Sequence, residues 1–207
     1  MNPDEIDRIE KDLKRKISLS SLGEVTHFLG IRIAKDEDGF YCMDQKAYVT
    51  KLAKQFGLDQ AKVSSIPIDV GYYRSRTGSK QLADNKDYRS IIGALLYVAV
   101  NTRPDVAASV AILARQVSEP TEVDWVEVKR VVRYLQKTKD YRLKLVANRD
   151  EPLRLVGFCD ADWSSDTTDR KSNSGYIFQL GQLADPGCSG ACSCRLSRPG
   201  AVCLISE

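Results

Sequence analysis

Four aspartates lie close together towards the C-terminal end of the sequence and could bind a metal ion. They are Asp160, Asp162, Asp166 and Asp169, and the first ends an apolar run that predicts a β-strand. Carboxylate oxygens suit Mg²⁺, which keeps several waters but needs more than one protein carboxylate. Two-metal phosphodiester hydrolysis takes carboxylates from several segments of a chain, so one strand cannot complete such a site. The alternative is that these aspartates cap and turn a hairpin, as Asp often does.

Residues 129–144 form a second candidate site because they include seven basic residues and one acidic residue, Asp140. The five that we expect to contact phosphates are Lys129, Arg130, Arg133, Lys137 and Lys139, and Arg142 and Lys144 follow them. Such a local excess of positive charge is typical of a nucleic-acid-binding surface. The alternative is an ordinary solvated helix face.

The composition and the apolar runs argue against a membrane-spanning or secreted protein. With 43% hydrophobic and 29% charged residues, the sequence is typical of a soluble globular protein. Residues 91–100, the longest apolar run without a charge, are too few to cross a bilayer. The acidic, polar start is the reverse of a secretory signal, so we expect an intracellular protein without a membrane contact. The net charge of +3 does not by itself indicate a partner.

The six cysteines do not suggest a disulfide framework, because four of them crowd the end of the chain. Cys188, Cys192, Cys194 and Cys203 would be enough thiols for a zinc site. They lack paired Cys-x2-Cys spacing and a neighbouring histidine, since the chain's single histidine is His27. We therefore favour a disordered, reactive tail over a zinc site.

The apolar periodicity predicts both helices and strands. Helices are expected over residues 3–17, 45–56, 88–100, 104–117 and 121–136, and strands over residues 27–33, 40–43, 143–145, 153–159 and 175–180. Gly39 is expected in the turn of the first hairpin, and Thr121 begins a sequence close to a capping box. Residues 58–87 are predicted to be a long polar connector. Tyr97, Leu113 and Trp125 are the core candidates of the central helices.

Three groups of motifs make the sequence resemble a known family. They are Leu22-Gly-Glu with Phe28-Leu-Gly-Ile31, Tyr97 with Thr102-Arg-Pro-Asp105, and Asp160-Ala-Asp-Trp163 with Asp169-Arg-Lys-Ser172 and Ser174-Gly-Tyr176. In this order and at this spacing they resemble the Pol polyprotein of copia-type long-terminal-repeat retrotransposons. The resemblance covers roughly residues 1–180, and it depends on the motifs jointly rather than on any one of them.

This resemblance implies an α+β fold made of three pieces. Residues 1–61 are similar to the end of a reverse-transcriptase palm, including the hairpin that grips the primer. Residues 62–145 are similar to the helical thumb and connection. Residues 146–180 resemble the first strands of a ribonuclease H domain, an incomplete β-hairpin. Residues 181–207 match nothing in the family, and we expect an unrelated tail there.

The resemblance also implies which residues matter. Asp160 matches the first metal-binding aspartate of the nuclease, whose cofactor is Mg²⁺. The paired polymerase aspartates of the family would precede Met1, and its second nuclease carboxylate has no counterpart after Tyr176. We therefore expect a catalytically inactive fragment without bound Mg²⁺. It would retain weak, salt-sensitive and sequence-independent binding of an RNA–DNA hybrid or a primer–template duplex.

Two alternatives remain open at this point. The ribonuclease H activity could be completed in trans or within a larger polyprotein. The chain could also be a co-opted protein-interaction module, whose incomplete nuclease sheet leaves an open strand edge.

Overall fold

The computed structural model describes residues 3–37, 39–145, 155–162 and 173–180 of the chain. These residues form an α+β structure, as the sequence predicts. The helices are α1 (Pro3–Lys16), α2 (Lys46–Gln55), α3 (Tyr72–Arg76), α4 (Lys86–Asn101), α5 (Ala107–Ala114) and α6 (Glu122–Lys137), with a 3₁₀ turn at Pro104–Val106. The strands are β1 (His27–Phe28), β2 (Ile31–Lys35), β3 (Tyr41–Asp44), β4 (Leu143–Leu145), β5 (Leu155–Asp162) and β6 (Asn173–Leu180).

The strands form two antiparallel sheets. The first has the order β1-β2-β3-β4, so that β4, which follows α6, pairs with β3 of the N-terminal hairpin through Tyr41 and Leu145. The second consists of β5 and β6, with Asp160 opposite Gly175. The first sheet therefore joins two parts of the chain that are distant in sequence.

One hydrophobic core holds α2, α4, α5 and α6 together. Its fully buried members include Ile91, Leu95, Val98, Val106, Val110, Leu113, Val128, Val131 and Leu135. Val49 and Leu52 of α2 belong to the same core, which therefore crosses the predicted boundary between residues 61 and 62. Burial of Leu113 is confirmed, whereas Tyr97 and Trp125 are half-buried at the edge.

Asp124 fixes both the start of α6 and the segment before it. The capping box predicted at Thr121 is confirmed, because its hydroxyl oxygen accepts from the Asp124 N–H at 3.3 Å and its own N–H donates to the Asp124 carboxylate at 2.7 Å. The same carboxylate accepts from Tyr72 Oη at 2.7 Å and from Arg76 Nε at 3.1 Å. Helix α3 is thereby anchored, so residues 58–87 are a packed segment with a helix of its own, and the polar connector predicted there is wrong in this respect.

The strand predicted over residues 27–33 is interrupted by a two-residue turn. Leu29 and Gly30 both have positive φ angles, 50° and 80°, between β1 and β2. A positive φ at both central positions is the geometry of a tight hairpin turn, and glycine adopts it without steric cost. Leucine rarely does, which is why the apolar run around Leu29 predicted one continuous strand.

The helix predicted over residues 104–117 is shorter than expected. It opens with the 3₁₀ turn at Pro104–Val106, and α5 ends at Ala114. The next residues continue with i→i−3 hydrogen bonds, from the Gln116 N–H to the Leu113 carbonyl at 3.1 Å and from the Val117 N–H to the Ala114 carbonyl at 3.2 Å. Such tightening is common at helix ends, where carbonyls lack α-helical partners.

Helix α1 is amphipathic, as predicted, but its apolar row is exposed. Ile6, Ile9, Leu13 and Ile17 keep between 45% and 57% of their surface in contact with solvent. Among the described residues, none of the helices is both long and apolar enough to span a membrane.

Candidate nucleic-acid interface

Three of the predicted phosphate ligands form a row along α6. Lys129, Arg133 and Lys137 are spaced by four residues, so they lie on one side of the helix with about 5–6 Å between successive Cβ atoms. Lys129 and Arg133 are half-buried and Lys137 is exposed. Lys129 Nζ lies 5.3 Å from the centroid of the Trp125 ring, a cation–π distance. We call Lys129, Arg133 and Lys137 the α6 basic row.

The α6 basic row contacts residues 64–65, in the segment between α2 and α3. Lys137 Nζ donates a hydrogen bond to Ser65 Oγ at 2.6 Å, and the Ser64 N–H approaches the Arg133 carbonyl at 3.5 Å. These contacts orient the row while its cations have no carboxylate partner among the ion pairs of the described residues.

Arg130, also predicted as a phosphate ligand, differs from its neighbours because two carboxylates already match its charge. Its Nε donates to Glu127 Oε2 at 2.9 Å, and its Nη2 lies 3.3 Å from Asp69 Oδ2. Glu127 in turn accepts a hydrogen bond from the Asp69 N–H at 2.9 Å. The side chain of Arg130 therefore ties the segment before α3 to α6.

Lys139, the last predicted ligand, lies beyond the end of α6 next to an ion pair. Lys46 Nζ donates to Asp140 Oδ1 at 2.6 Å, and this contact is the main reason why the pKa of Asp140 lies below its usual value. The nearby charges of Lys139 and Arg142 act in the same direction. Lys139 thus extends the positive surface past the α6 basic row.

The end of the basic stretch belongs to the sheet instead of the helix. Lys144 Nζ lies 2.6 Å from Asp36 Oδ2, and Arg142 Nε lies 3.8 Å from Asp44 Oδ2. Arg32 holds the same Asp44 carboxylate at 2.7 Å. The basic stretch is therefore divided: Arg130, Arg142 and Lys144 lie beside carboxylates, whereas the α6 basic row has no carboxylate partner among the described residues.

The β1–β2 turn, which lies inside residues 27–43 predicted to form the primer-gripping hairpin, presents apolar side chains. Phe28 and Leu29 are 59% and 72% exposed. The Tyr97 hydroxyl donates to the Leu29 carbonyl, which fixes the tip against α4. The ring of Tyr97 meets the ring of Tyr48 on α2 edge-on, with 5.3 Å between centroids.

Sequence reasoning noticed Thr102-Arg-Pro-Asp105 only as a motif and missed what it does. Arg103 and Asp105 form a bidentate ion pair at 2.9 and 2.7 Å, with side chains 3% and 6% exposed. Arg103 Nη1 also donates to the Thr138 carbonyl at 3.0 Å, and Tyr134 Oη donates to Asp105 at 2.9 Å. The motif thus joins the end of α4 to the end of α6, and an Arg-x-Asp pair after an apolar helix was its only sequence signal.

The carboxylate cluster is only partly described. Asp160 and Asp162 lie on β5, opposite Gly175 and Asn173 of β6, whereas Asp166 and Asp169 fall outside the described residues. The four C-terminal cysteines also lie outside them. Within the described ranges, no group of three or more His, Cys, Asp or Glu side chains could hold a metal ion.

Comparison with known proteins gives several relatives. The chain is 33% identical over 82% of its length to an uncharacterised mitochondrial protein of Arabidopsis thaliana, of which it covers 68%. It is 46% identical over 46% of its length to a secreted RxLR effector protein of Plasmopara viticola, of which it covers 66%. It is 32% identical over 82% of its length to a retrovirus-related Pol polyprotein from an Arabidopsis thaliana transposon, but covers only 11% of that protein. No protein-family model and no solved structure matches the chain.

Proposed function

Because the chain belongs to the copia-type retrotransposon Pol polyproteins, we propose that it is a nucleic-acid-binding region of such a polyprotein without catalytic activity of its own. The chain spans about two thirds of the first two relatives and about a tenth of the Pol polyprotein that it matches. The function of this region is therefore inferred from its own residues, not from the activity of a whole polyprotein.

The proposal includes an assignment of the pieces. Residues 1–61 would come from the end of the palm, residues 62–145 from the thumb and connection, and residues 146–180 from the first strands of ribonuclease H. The exposed tip of the β1–β2 hairpin and the antiparallel pairing of β5, which carries Asp160, with β6 support this assignment. The core shared by α2 and α4–α6 means that the first two pieces would act as one body.

The observation that carries the binding proposal is the α6 basic row, with Lys139 beyond it. These four cations follow one another on one helix and its end, and within the part of the chain that the structure describes no carboxylate pairs with the row. A row of this kind can contact successive phosphates of a duplex without reading its bases. The partner would be an RNA–DNA hybrid or a primer–template duplex.

Salt should weaken this binding steeply. Each phosphate contact contributes about −0.9 to the slope of log K against log salt concentration, so four contacts predict an affinity loss of about 150-fold between 50 and 200 mM salt. Replacing Lys129, Arg133 and Lys137 together by alanine should reduce the slope by about 2.7. Fluorescence anisotropy with a labelled hybrid duplex measures both values.

A matched control removes the same charge elsewhere. Arg8, Lys11 and Lys16 are exposed on α1, and their joint replacement by alanine should leave the salt slope unchanged. Equal changes of slope in the two triple variants would contradict the proposal, because they would indicate attraction by net charge alone. A loss of less than about tenfold in the unmodified protein would contradict it too.

The absence of catalysis is a separate expectation. In the presence of Mg²⁺, the purified chain and its Asp160→Asn variant should cleave a labelled RNA–DNA hybrid no faster than buffer does. The physical reason is that metal-assisted hydrolysis needs carboxylates converging from several segments, and Asp160 is the only one that matches the family's nuclease motif. Magnesium-dependent cleavage that disappears in Asp160→Asn would contradict the expectation and favour the alternative of an active nuclease.

A further inference from the structure

A groove between α2 and α4 has features that the α6 basic row does not explain. It measures about 320 Å³, within the size range of small-ligand pockets. One side is lined by Tyr48 and Lys51 of α2 and by Phe56 at its end. The other side is lined by Ser90 and Gly93 of α4. The groove is therefore large enough for one planar ring between an aromatic wall and a helix backbone.

Gly93 is the most informative residue of this groove. It lies inside α4, where glycine destabilises a helix relative to alanine, and its φ is not in the left-handed region. A Cβ atom built there would have no heavy atom within 4 Å. Neither packing nor backbone conformation therefore requires glycine, and the missing side chain leaves the α4 backbone open to the close approach of a ligand.

The groove is continuous with the proposed binding surface at both ends. At one end Tyr48 contacts Tyr97, which holds the β1–β2 hairpin tip. At the other end the ring of Phe56 meets that of Trp125 at 6.3 Å, and Trp125 lies under Lys129 of the α6 basic row. Four aromatic rings, with Lys51 and Lys129 beside them, thus extend from the hairpin tip to α6. Proteins that bind single strands combine such features, with bases stacked on rings and phosphates near cations.

The charge of the groove selects an anionic occupant. Lys51 is exposed, and no carboxylate is among the residues that line the groove. At the start of α4, Lys86 and Arg89 outnumber Asp87. An anionic ligand with a planar ring fits this environment better than an apolar helix of a partner protein does.

We propose that the groove between α2 and α4 receives an unpaired base of single-stranded nucleic acid, with its ring between Tyr48, Phe56 and the Gly93 backbone and its phosphate beside Lys51. The proposal rests on the nucleic-acid binding proposed above and deepens it. The α6 basic row contacts duplex phosphates, whereas the groove holds the adjoining single strand.

Filling the groove tests this proposal without weakening the fold. Gly93→Leu should raise the Kd for a fluorescein-labelled 20-mer of oligothymidine by about 5- to 150-fold, the range of one lost base-stacking contact. Its Kd for a blunt hybrid duplex should stay within twofold of that of the full, unmodified chain. Its Tm should be equal or higher, because leucine favours a helix more than glycine does.

The control is Ala108→Leu, which adds a leucine at an exposed position of α5, outside the groove. It should change neither Kd. Ser90→Leu, at an exposed groove position of α4, provides a second filling variant and should behave like Gly93→Leu.

The outcomes separate the two proposals. Unchanged oligothymidine binding by folded Gly93→Leu and Ser90→Leu overturns the groove proposal, while salt-dependent duplex binding leaves the function proposed above intact. Equal loss of oligothymidine and duplex binding also overturns it, since the groove would then not be specific for single strands. If the unmodified chain binds neither nucleic acid, both proposals fail.

Discussion

Replacing Asp105 by alanine is expected to lower the free energy of unfolding by about 3–5 kcal/mol. The substitution leaves the Arg103 guanidinium, which is 3% exposed, without its carboxylate. Removing one partner of a buried ion pair has this cost because the other charge stays desolvated and unpaired. Urea denaturation followed by circular dichroism at 222 nm measures the change, since the helices of the core dominate that signal.

The expected loss of unfolding free energy is large also because several groups depend on Asp105. Tyr134 Oη donates to its carboxylate, and the guanidinium that it orients donates to both the carbonyl and the hydroxyl of Thr138, at 3.0 and 2.5 Å. The ring of Tyr141 lies 5.2 Å from the same guanidinium. Loss of the carboxylate therefore loosens the junction of α4, α6 and the residues leading into β4.

Asp140→Ala is the matched control. It removes the same side chain from an ion pair with Lys46 whose members are 67% and 51% exposed, and such surface pairs contribute little to stability. Similar losses in the two variants would show that the Arg103–Asp105 pair has no special role. The double variant Arg103→Met with Asp105→Leu should recover part of the loss, because apolar side chains can replace a buried ion pair.

The sequence predicted those elements whose signal is local. Helices α1, α4 and α6 each repeat apolar residues at helical spacing, and Thr121 with Asp124 forms the capping box that the sequence suggested. The strands β5 and β6 were also expected from alternation, and their place in one hairpin from the family resemblance. In these cases the interactions that define an element lie within a few residues of one another.

Most of the elements that the sequence did not predict depend on contacts between residues that are distant in the chain. Helix α3 has five residues, too few for a period, and it is held by Asp124 across 48 to 52 positions. The pairing of β4 with β3 likewise joins residues about a hundred positions apart. The turn at Leu29 was missed because leucine rarely adopts a positive φ.

In the candidate site, too, the sequence predicted the local feature but not the contacts with distant residues. Composition identified the basic stretch, but only the fold separates the α6 basic row from Arg130, Arg142 and Lys144, whose charges carboxylates already match. Apart from Glu127 on α6 itself, those carboxylates come from other parts of the chain, Asp69, Asp44 and Asp36. A count of charges along the sequence therefore overestimates the number of phosphate contacts.

Alkaline pH is expected to destabilise the core strongly, through two buried tyrosines. Tyr72 and Tyr88 are 2% and 1% exposed, and burial raises the pKa of both hydroxyls well above the ordinary value. For Tyr72 the hydrogen bond to Asp124 is the second cause, and for Tyr88 the charge of Asp124 is. In the unfolded chain both would ionise near pH 10.

The direction in which pH changes the free energy of unfolding follows from proton binding. Below pH 10 both states keep the tyrosine protons, so the free energy of unfolding is unaffected. Above pH 10 the unfolded state releases protons that the folded state retains, and stability falls by about 1.4 kcal/mol per pH unit for each tyrosine. Tyr72 and Tyr88 together contribute up to about 2.7 kcal/mol per unit, and Tyr134, whose pKa burial raises to about 12, adds to the same trend. Urea denaturation at pH 8, 9, 10 and 11 measures the total.

Tyr72→Phe should reduce this slope by up to about 1.4 kcal/mol per unit, because one retained proton is gone, while Asp124 keeps Arg76 and Thr121 as donors. Tyr41→Phe removes a hydroxyl from a side chain that is 41% exposed and should leave the slope unchanged. The same slope in Tyr72→Phe as in the unmodified protein would mean that other groups cause the alkaline unfolding. A slope reduced by this amount would instead show that the Tyr72 proton, retained because its hydroxyl is buried against Asp124, couples the packing of α3 on α6 to the stability of the whole core.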